Sequence, residues 1–199
     1  MNLISNCCIG GDYYNSLSKE YNNPFIWVII KPKDMITLIS HFNTINFENI
    51  ELLESEFSAV NRKCFKIKVD NLFEIHYPHY LKNNDYKTIK YGSTETSVDV
   101  LYADIEKYII STYIRRLQRM KNNSESPKFL ILGDRAGYEW DFNSIRELDK
   151  INNGFKICLI TDKVEQKDFK NLHIIHFHSD NHYNSRIYND KEIRRYLGL

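Results

Sequence analysis

Lys128-Phe129-Leu130-Ile131-Leu132-Gly133-Asp134-Arg135-Ala136-Gly137, followed by Ile145 to Ile151 and then Phe155-Lys156-Ile157-Cys158-Leu159-Ile160-Thr161-Asp162-Lys163, is the stretch that decides the fold. Lys128 to Leu132 is a short, continuous apolar run closed by a glycine, which reads as a strand covered on both faces. Ile145 to Ile151 has helical spacing, and Phe155 to Ile160 is a second continuous strand. Leu172-His173-Ile174-Ile175-His176-Phe177 makes a third, and a helix from Asp190 closes the chain. Strands that alternate with helices and carry no polar face belong to a mainly parallel sheet with helices on both sides.

Working outward, Leu3-Ile4 is a short apolar run followed by the small and polar residues Ser5 to Gly11, after which Tyr14 and Leu17 begin a helical spacing. The pattern is strand, glycine-containing loop, helix. Asn23-Pro24 ends that helix, and Phe25-Ile26-Trp27-Val28-Ile29-Ile30 reads as a central strand. Asp34 is placed to cap a helix bearing Met35, Leu38, Ile39 and Phe42, with Pro32 outside it. Residues 49–80 hold two or three strands, with a hairpin around Asp70-Asn71 and a strand ending at Pro78. Leu81 to Thr96 is a polar excursion, and Ser97 caps a long helix running to Lys121. The expectation is one α/β domain over 1–199: three-layer, mainly parallel sheet with helices on both faces, Rossmann-like. Ligands in such sheets bind beyond the carboxyl ends of the strands.

Composition narrows the function classes. Lys+Arg 27 against Asp+Glu 26 leaves a formal charge of +1, so no general attraction to nucleic acid or to an anionic membrane is expected. A hydrophobic fraction of 42%, with Gly 7 and Pro 4, is that of a globular chain with a substantial core. Cys7 and Cys8 are adjacent, Cys64 stands alone and Cys158 lies in an apolar run, which is no disulfide framework and points to a reducing, cytoplasmic setting. No run approaches the roughly 18 apolar residues of a membrane span, so no membrane insertion is expected.

Three strand-end loops are candidates for chemistry and are expected to share one rim. In Ser5-Asn6-Cys7-Cys8-Ile9-Gly10-Gly11, Gly10 and Gly11 let the backbone approach a ligand closely. A following helix would offer amides and positive dipole to an anion or to a Cys8 thiolate, with Asn6 as a polar contact. A short turn between strand and helix also requires small residues on its own account. Asp134-Arg135 sets a carboxylate suited to orienting hydroxyls beside a forked cation suited to phosphate or carboxylate; the two could equally pair with each other. In the third loop Asp162 is explained as well by helix capping.

On the long helix, Val98, Leu101, Ile105, Tyr108 and Thr112 form one stripe, continued by Arg116 and Arg119 with Arg115 nearby. A core-facing stripe that turns basic suits a bound anion or the Asp134 carboxylate, or simply arginines complementing the helix's C-terminal dipole. His79-Tyr80 after Pro78 could supply a general base beside a hydroxyl, or be a packed turn. His173, His176 and His178 alternate along a strand and so do not converge on a metal. No motif names a cofactor, and nucleic acid is not an expected partner.

Taken in order, Ser5 to Gly11, Tyr14, Leu17, Tyr21 and Asn23-Pro24-Phe25 resemble the opening of the bacterial domain of unknown function nineteen-nineteen family, whose members are associated with exopolysaccharide and capsular polysaccharide biosynthesis. The likeness continues through His79-Tyr80, Tyr113-Ile114-Arg115-Arg116-Leu117-Gln118-Arg119, Asp134-Arg135-Ala136-Gly137, Lys156 to Thr161, Tyr188 and Tyr196-Leu197. The chain departs from the family pattern at Cys7 and Ile9, where members carry Asn and Trp, and by extra length in Leu81 to Thr96. The resemblance implies a three-layer α/β fold and a place in a surface-polysaccharide pathway, with no agreed reaction. The expected function is a transferase modifying a glycan precursor from a phosphate-bearing donor. Cys8, Asp134 and His79 would do the chemistry, while Asn6, Gly10, Gly11, Arg115, Arg116, Arg119 and Arg135 bind. The alternative is a non-catalytic sugar-nucleotide-binding or assembly protein in contact with the polysaccharide machinery.

Overall fold

A computed structural model of the chain describes residues 3–7, 22–57, 62–82, 88–91, 98–123, 129–133, 139–151, 154–176 and 195–196. The architecture is mixed α/β, built on two sheets. The first holds β1 (Leu3–Ser5), β7 (Phe129–Gly133), β8 (Lys156–Ile160) and β9 (Leu172–Ile175) in the order β1-β7-β8-β9, all parallel. The three continuous apolar runs of the last third are therefore the strands their patterning predicts, buried on both faces. The second is antiparallel: β2 (Ile50–Phe57), β3 (Arg62–Val69), β4 (Phe73–Lys82), β5 (Thr88–Tyr91) and β6 (Val98–Leu101), in sequence order. The expected mainly parallel sheet is thus corrected to one parallel and one antiparallel sheet.

The antiparallel sheet forms because residues 50–77 alternate. Ile67 and Val69 on β3 and Phe73, Ile75 and Tyr77 on β4 are buried, and register pairs Ile67 with Ile75 and Val69 with Phe73. Lys66 and Lys68 pair with His76 and Glu74 on the other face. The hairpin at Asp70-Asn71 is as predicted, with both residues at positive φ (50° and 58°), as a primed turn requires and Asp and Asn tolerate. The strand does not end at Pro78, however. β4 continues to Lys82 through a register shift in which Tyr77 faces Phe65 while Leu81 faces Cys64. A proline has no N–H for the ladder, and the strand absorbs it in a bulge. Part of the polar excursion is likewise strand, since β5 pairs with both Tyr80–Lys82 and β6.

Three α-helices are described: α1 (Pro32–His41), α2 (Tyr102–Asn122) and α3 (Phe142–Lys150). In α1, Pro32 occupies the first turn, where its missing N–H costs nothing, and Lys31 precedes it. Asp34 is therefore not the cap. Its carboxylate accepts a 3.2 Å bond from the Glu74 amide of β4, tying the helix to that sheet. The long helix starts at Tyr102 rather than Ser97, because Val98–Leu101 pairs with Thr88–Tyr91 as β6. α3 is capped by Asp141, whose carboxylate accepts from Ser144 N at 2.8 Å.

Phe25–Ile30 is the main departure. Its apolar residues other than half-buried Trp27 are buried as expected, but it is not a strand. Trp27 sits at φ 60°, a left-handed conformation rare for a bulky residue, and breaks the extension. The segment is instead a strap between the sheets. Ile29 pairs with His76 of β4 through two 2.8 Å bonds, while Ile30 N donates to Asn6 O beyond β1 at 3.0 Å. One cluster of buried side chains runs across both sheets and the helices, from Ile4, Leu130 and Leu159 through Phe25 and Val28 to Ile67, Ile75, Ile109 and Leu117.

Candidate functional site

The parallel order of β1, β7, β8 and β9 sends their carboxyl ends the same way, so the residues after Ser5, Gly133 and Ile160 leave from one rim. Of the first expected loop, Ser5, Asn6 and Cys7 are described and buried. Asn6 is spent on architecture: its Oδ1 accepts from Gly133 N at 2.9 Å and its Nδ2 donates to Gly133 O at 3.0 Å. Two buried bonds from one amide lock the ends of β1 and β7 side by side, which places Asn6 as a clamp rather than as the ligand contact expected of it. Asn23 acts similarly lower down, donating to Leu3 O at 2.8 Å and accepting from Phe25 N at 3.0 Å. In the third loop, buried Thr161 receives Lys163 N on its hydroxyl at 3.2 Å, while Lys163 Nζ reaches Trp140 O at 3.3 Å. Cys8, Gly10, Gly11, Asp134 and Arg135 lie outside the described residues.

The arginines of α2 are not equally exposed. The buried face of that helix is Ile105, Ile109, Thr112, Tyr113, Leu117 and Met120. It is turned from the expected stripe, leaving Leu101 and Tyr108 exposed at 60% and 40%. Arg115 is exposed and Arg119 half-buried. Arg116 turns inward, where its Nη1 donates to Ile26 O at 2.9 Å, immediately before left-handed Trp27. It also lies close enough to Tyr77 to oppose the upward push that burial and Tyr113 give the Tyr77 phenol. Tyr113 is itself pushed up by burial and donates its O–H to Phe47 O at 3.0 Å. Both phenols stay protonated at neutral pH.

Pro78, His79 and Tyr80 stand in the bulge of β4 without register partners on β3. The side chain of His79 lies outside what the structure describes. Strained backbone at Trp27, a bulge and an inward arginine are features that collect at functional sites. Trp27 and Tyr77 carry no signal in the sequence that singles them out, whereas Pro78 within an apolar alternation marks the bulge.

Under α1 lies a polar cluster. Glu74 binds Lys66 Nζ at 2.7 Å and lies 3.6 Å from His76 Nε2. Burial pushes Glu74 up most strongly, but the bond and charge of Lys66, with the charges of His76 and Lys31, together outweigh it and hold the carboxyl below its usual range. Burial, joined by Lys31, depresses His76 to about 4 against the pull of Glu74. Burial raises Asp34.

No described helix is long and apolar enough to cross a membrane. A comparison with curated proteins finds no match. The family model described as Domain of unknown function (DUF1919) matches residues 1–100, which takes in Asn6, the Phe25–Ile30 strap and the β4 bulge, and the chain belongs to that family.

Proposed function

We propose that the protein binds a phosphate-bearing small molecule at the carboxyl rim, beside the junction of β1 and β7, and acts as a transferase on a surface-glycan precursor. The observation that carries this reading is the Asn6 clamp, which fixes the ends of β1 and β7 next to each other. The strap runs along β1 in the same direction, Asn23 beside Leu3 and Ile30 beside Asn6, with β7 on the other side. We read this as a Rossmann-like, three-layer arrangement in which the chain leaves β1 one way and returns on the other, so a crevice opens between β1 and β7. Cys7-Cys8-Ile9-Gly10-Gly11 and Asp134-Arg135-Ala136-Gly137 follow those two ends in sequence. In this reading Arg135 grips phosphate, Asp134 orients a hydroxyl or takes its proton, Cys8 serves as nucleophile, and Gly10 and Gly11 admit the ligand. The polysaccharide setting and the cytoplasmic location come from the family resemblance and the cysteine usage respectively.

A second reading, a non-catalytic sugar-nucleotide-binding or assembly protein of the polysaccharide machinery, is favoured by one observation. The side chains of Asn6 and Arg116, both candidates for ligand work, are used on main-chain groups. Thermal unfolding against sugar nucleotides, nucleoside phosphates and acyl-coenzyme A compounds tests both. A ligand at about 100 times its dissociation constant adds roughly 2.7 kcal/mol. Stabilisation lost in Arg135→Ala or Asp134→Ala supports the rim site, and turnover lost in Cys8→Ala supports the transferase. Binding without turnover selects the second reading. Ligand responses untouched by all three substitutions would sink the rim site.

A further inference from the structure

The edge of the parallel sheet opposite the rim holds a cavity of its own. β8 begins at Lys156 and β9 at Leu172. Against these amino-terminal ends lies a cavity of about 470 Å³ lined, among the described residues, by Lys156, His173, Arg195 and Tyr196. That is the size of a small-molecule site. Its wall is built rather than accidental. The His173 and Tyr196 rings stack at 4.4 Å with 8° between their planes, and the Tyr196 hydroxyl donates to the carbonyl of Ile157, the residue after Lys156, at 3.2 Å. Burial, with Cys158 adding to it, pushes that phenol up to about 12, so it remains a neutral donor. The sheet thus fixes the aromatic pair beside Lys156.

The charge of the cavity is one-sided. Lys156 Nζ lies 5.7 Å from the centroid of the Phe129 ring, which leaves its charge available to an anion. Among the described residues neither Lys156 nor Arg195 is paired with a carboxylate. Arginine offers a planar fork of donors and lysine a compact point charge, a combination suited to phosphate oxygens. Two cations are neutralised by a dianion, not by a monocarboxylate. We propose that this cavity is a second ligand site, which takes a small phosphomonoester, the phosphate held between Lys156 and Arg195 and the body of the ligand against the His173–Tyr196 pair. The site is separate from the rim. Lys156 opens β8 and Thr161 follows its end, and at about 3.3 Å per strand residue the two lie roughly 16 Å apart.

Amide-resolved NMR titration with phenyl phosphate, using benzoate and inorganic phosphate at matched ionic strength, tests the proposal on the full chain. Saturable shifts should appear at Lys156, His173 and Tyr196. Lys156→Gln and Arg195→Gln, both exposed substitutions, should each weaken phenyl phosphate by about tenfold while the unfolding midpoint is unchanged. Arg135→Ala, which disables the proposed rim site, should leave these shifts intact. Inorganic phosphate should compete, and benzoate should bind about tenfold more weakly than phenyl phosphate. Absence of saturation by about 10 mM, a response preserved when Lys156 and Arg195 are both replaced, or equal binding of benzoate would overturn the assignment. So would loss of the response in Arg135→Ala, which would transfer it to the rim.

Discussion

Replacing Asn6 by alanine removes two hydrogen bonds from one backbone unit and puts nothing in their place. Gly133 N and Gly133 O are buried, and both are satisfied by the Asn6 amide at 2.9 and 3.0 Å. Each buried group left without a partner costs about 1–3 kcal/mol, so Asn6→Ala should lose about 3 kcal/mol. In a chain of this length that corresponds to a midpoint roughly 6–12 °C lower. Urea titration followed by circular dichroism measures the loss directly, and an unchanged m-value would show that the unfolded state is not the source. Asn6→Asp sharpens the test. The aspartate keeps an acceptor for Gly133 N but sets a second oxygen against Gly133 O, so only the protonated carboxyl reproduces the clamp. Its folded pKa should rise above the unfolded value of about 3.9, and stability present at low pH should be lost as pH rises through the folded pKa. A loss below about 1 kcal/mol in Asn6→Ala, or a pH-independent Asn6→Asp, would refute the clamp.

Other consequences are as direct. His76, depressed to about 4 in the folded protein against an ordinary 6.5, binds its proton more readily unfolded. Stability should therefore fall as pH drops from about 6.5 to 4, by on the order of 2–3 kcal/mol, and His76→Gln should flatten that slope in denaturant titrations across the same window. Tyr113→Phe takes the donor from Phe47 O and should lower stability by about 0.5–1.5 kcal/mol; a neutral result would mean that water serves the carbonyl equally well. Arg116→Met keeps the packing length but severs the bond to Ile26 O, with an expected loss of about 1–3 kcal/mol by urea unfolding. A rim ligand should bind this variant unchanged, and weakened binding without loss of stability would return Arg116 to the ligand.

The last third of the chain was legible because its residues face one kind of environment throughout. Phe129 to Leu132, Ile157 to Ile160 and, save for His173, Leu172 to Ile175 are apolar on both faces and belong to a parallel sheet, where pattern and position agree. Phe25 to Ile30 has the same pattern and the same burial, yet hydropathy reports burial and not hydrogen-bonding partners, and nothing in the letters marks Trp27 as left-handed. Val98 and Leu101 fit a helical stripe with Ile105 only while the β5 partner is ignored; the pairing with Thr88 to Tyr91 is a tertiary fact. Asn6 was legible as a polar residue at a strand end that must do something. Whether its amide meets a ligand or Gly133 depends on a strand far along the chain. Arg116 was legible as an inward arginine, though its acceptor, the carbonyl of Ile26, exists only because the strap is bent where it is.

The same clamp bears on the order of assembly. Asn6 and Gly133 are 127 positions apart, and β1 finds its strand partner in β7, whereas β2 to β6 pair with their neighbours in sequence. During synthesis the antiparallel meander has all its strand partners within reach once residue 101 is out, while β1 has no strand partner until β7 follows. The family-matched first hundred residues thus emerge with their own strap and meander but with an apolar edge still waiting, and a ribosome stalled between β6 and β7 would present that edge to whatever chaperone is at hand.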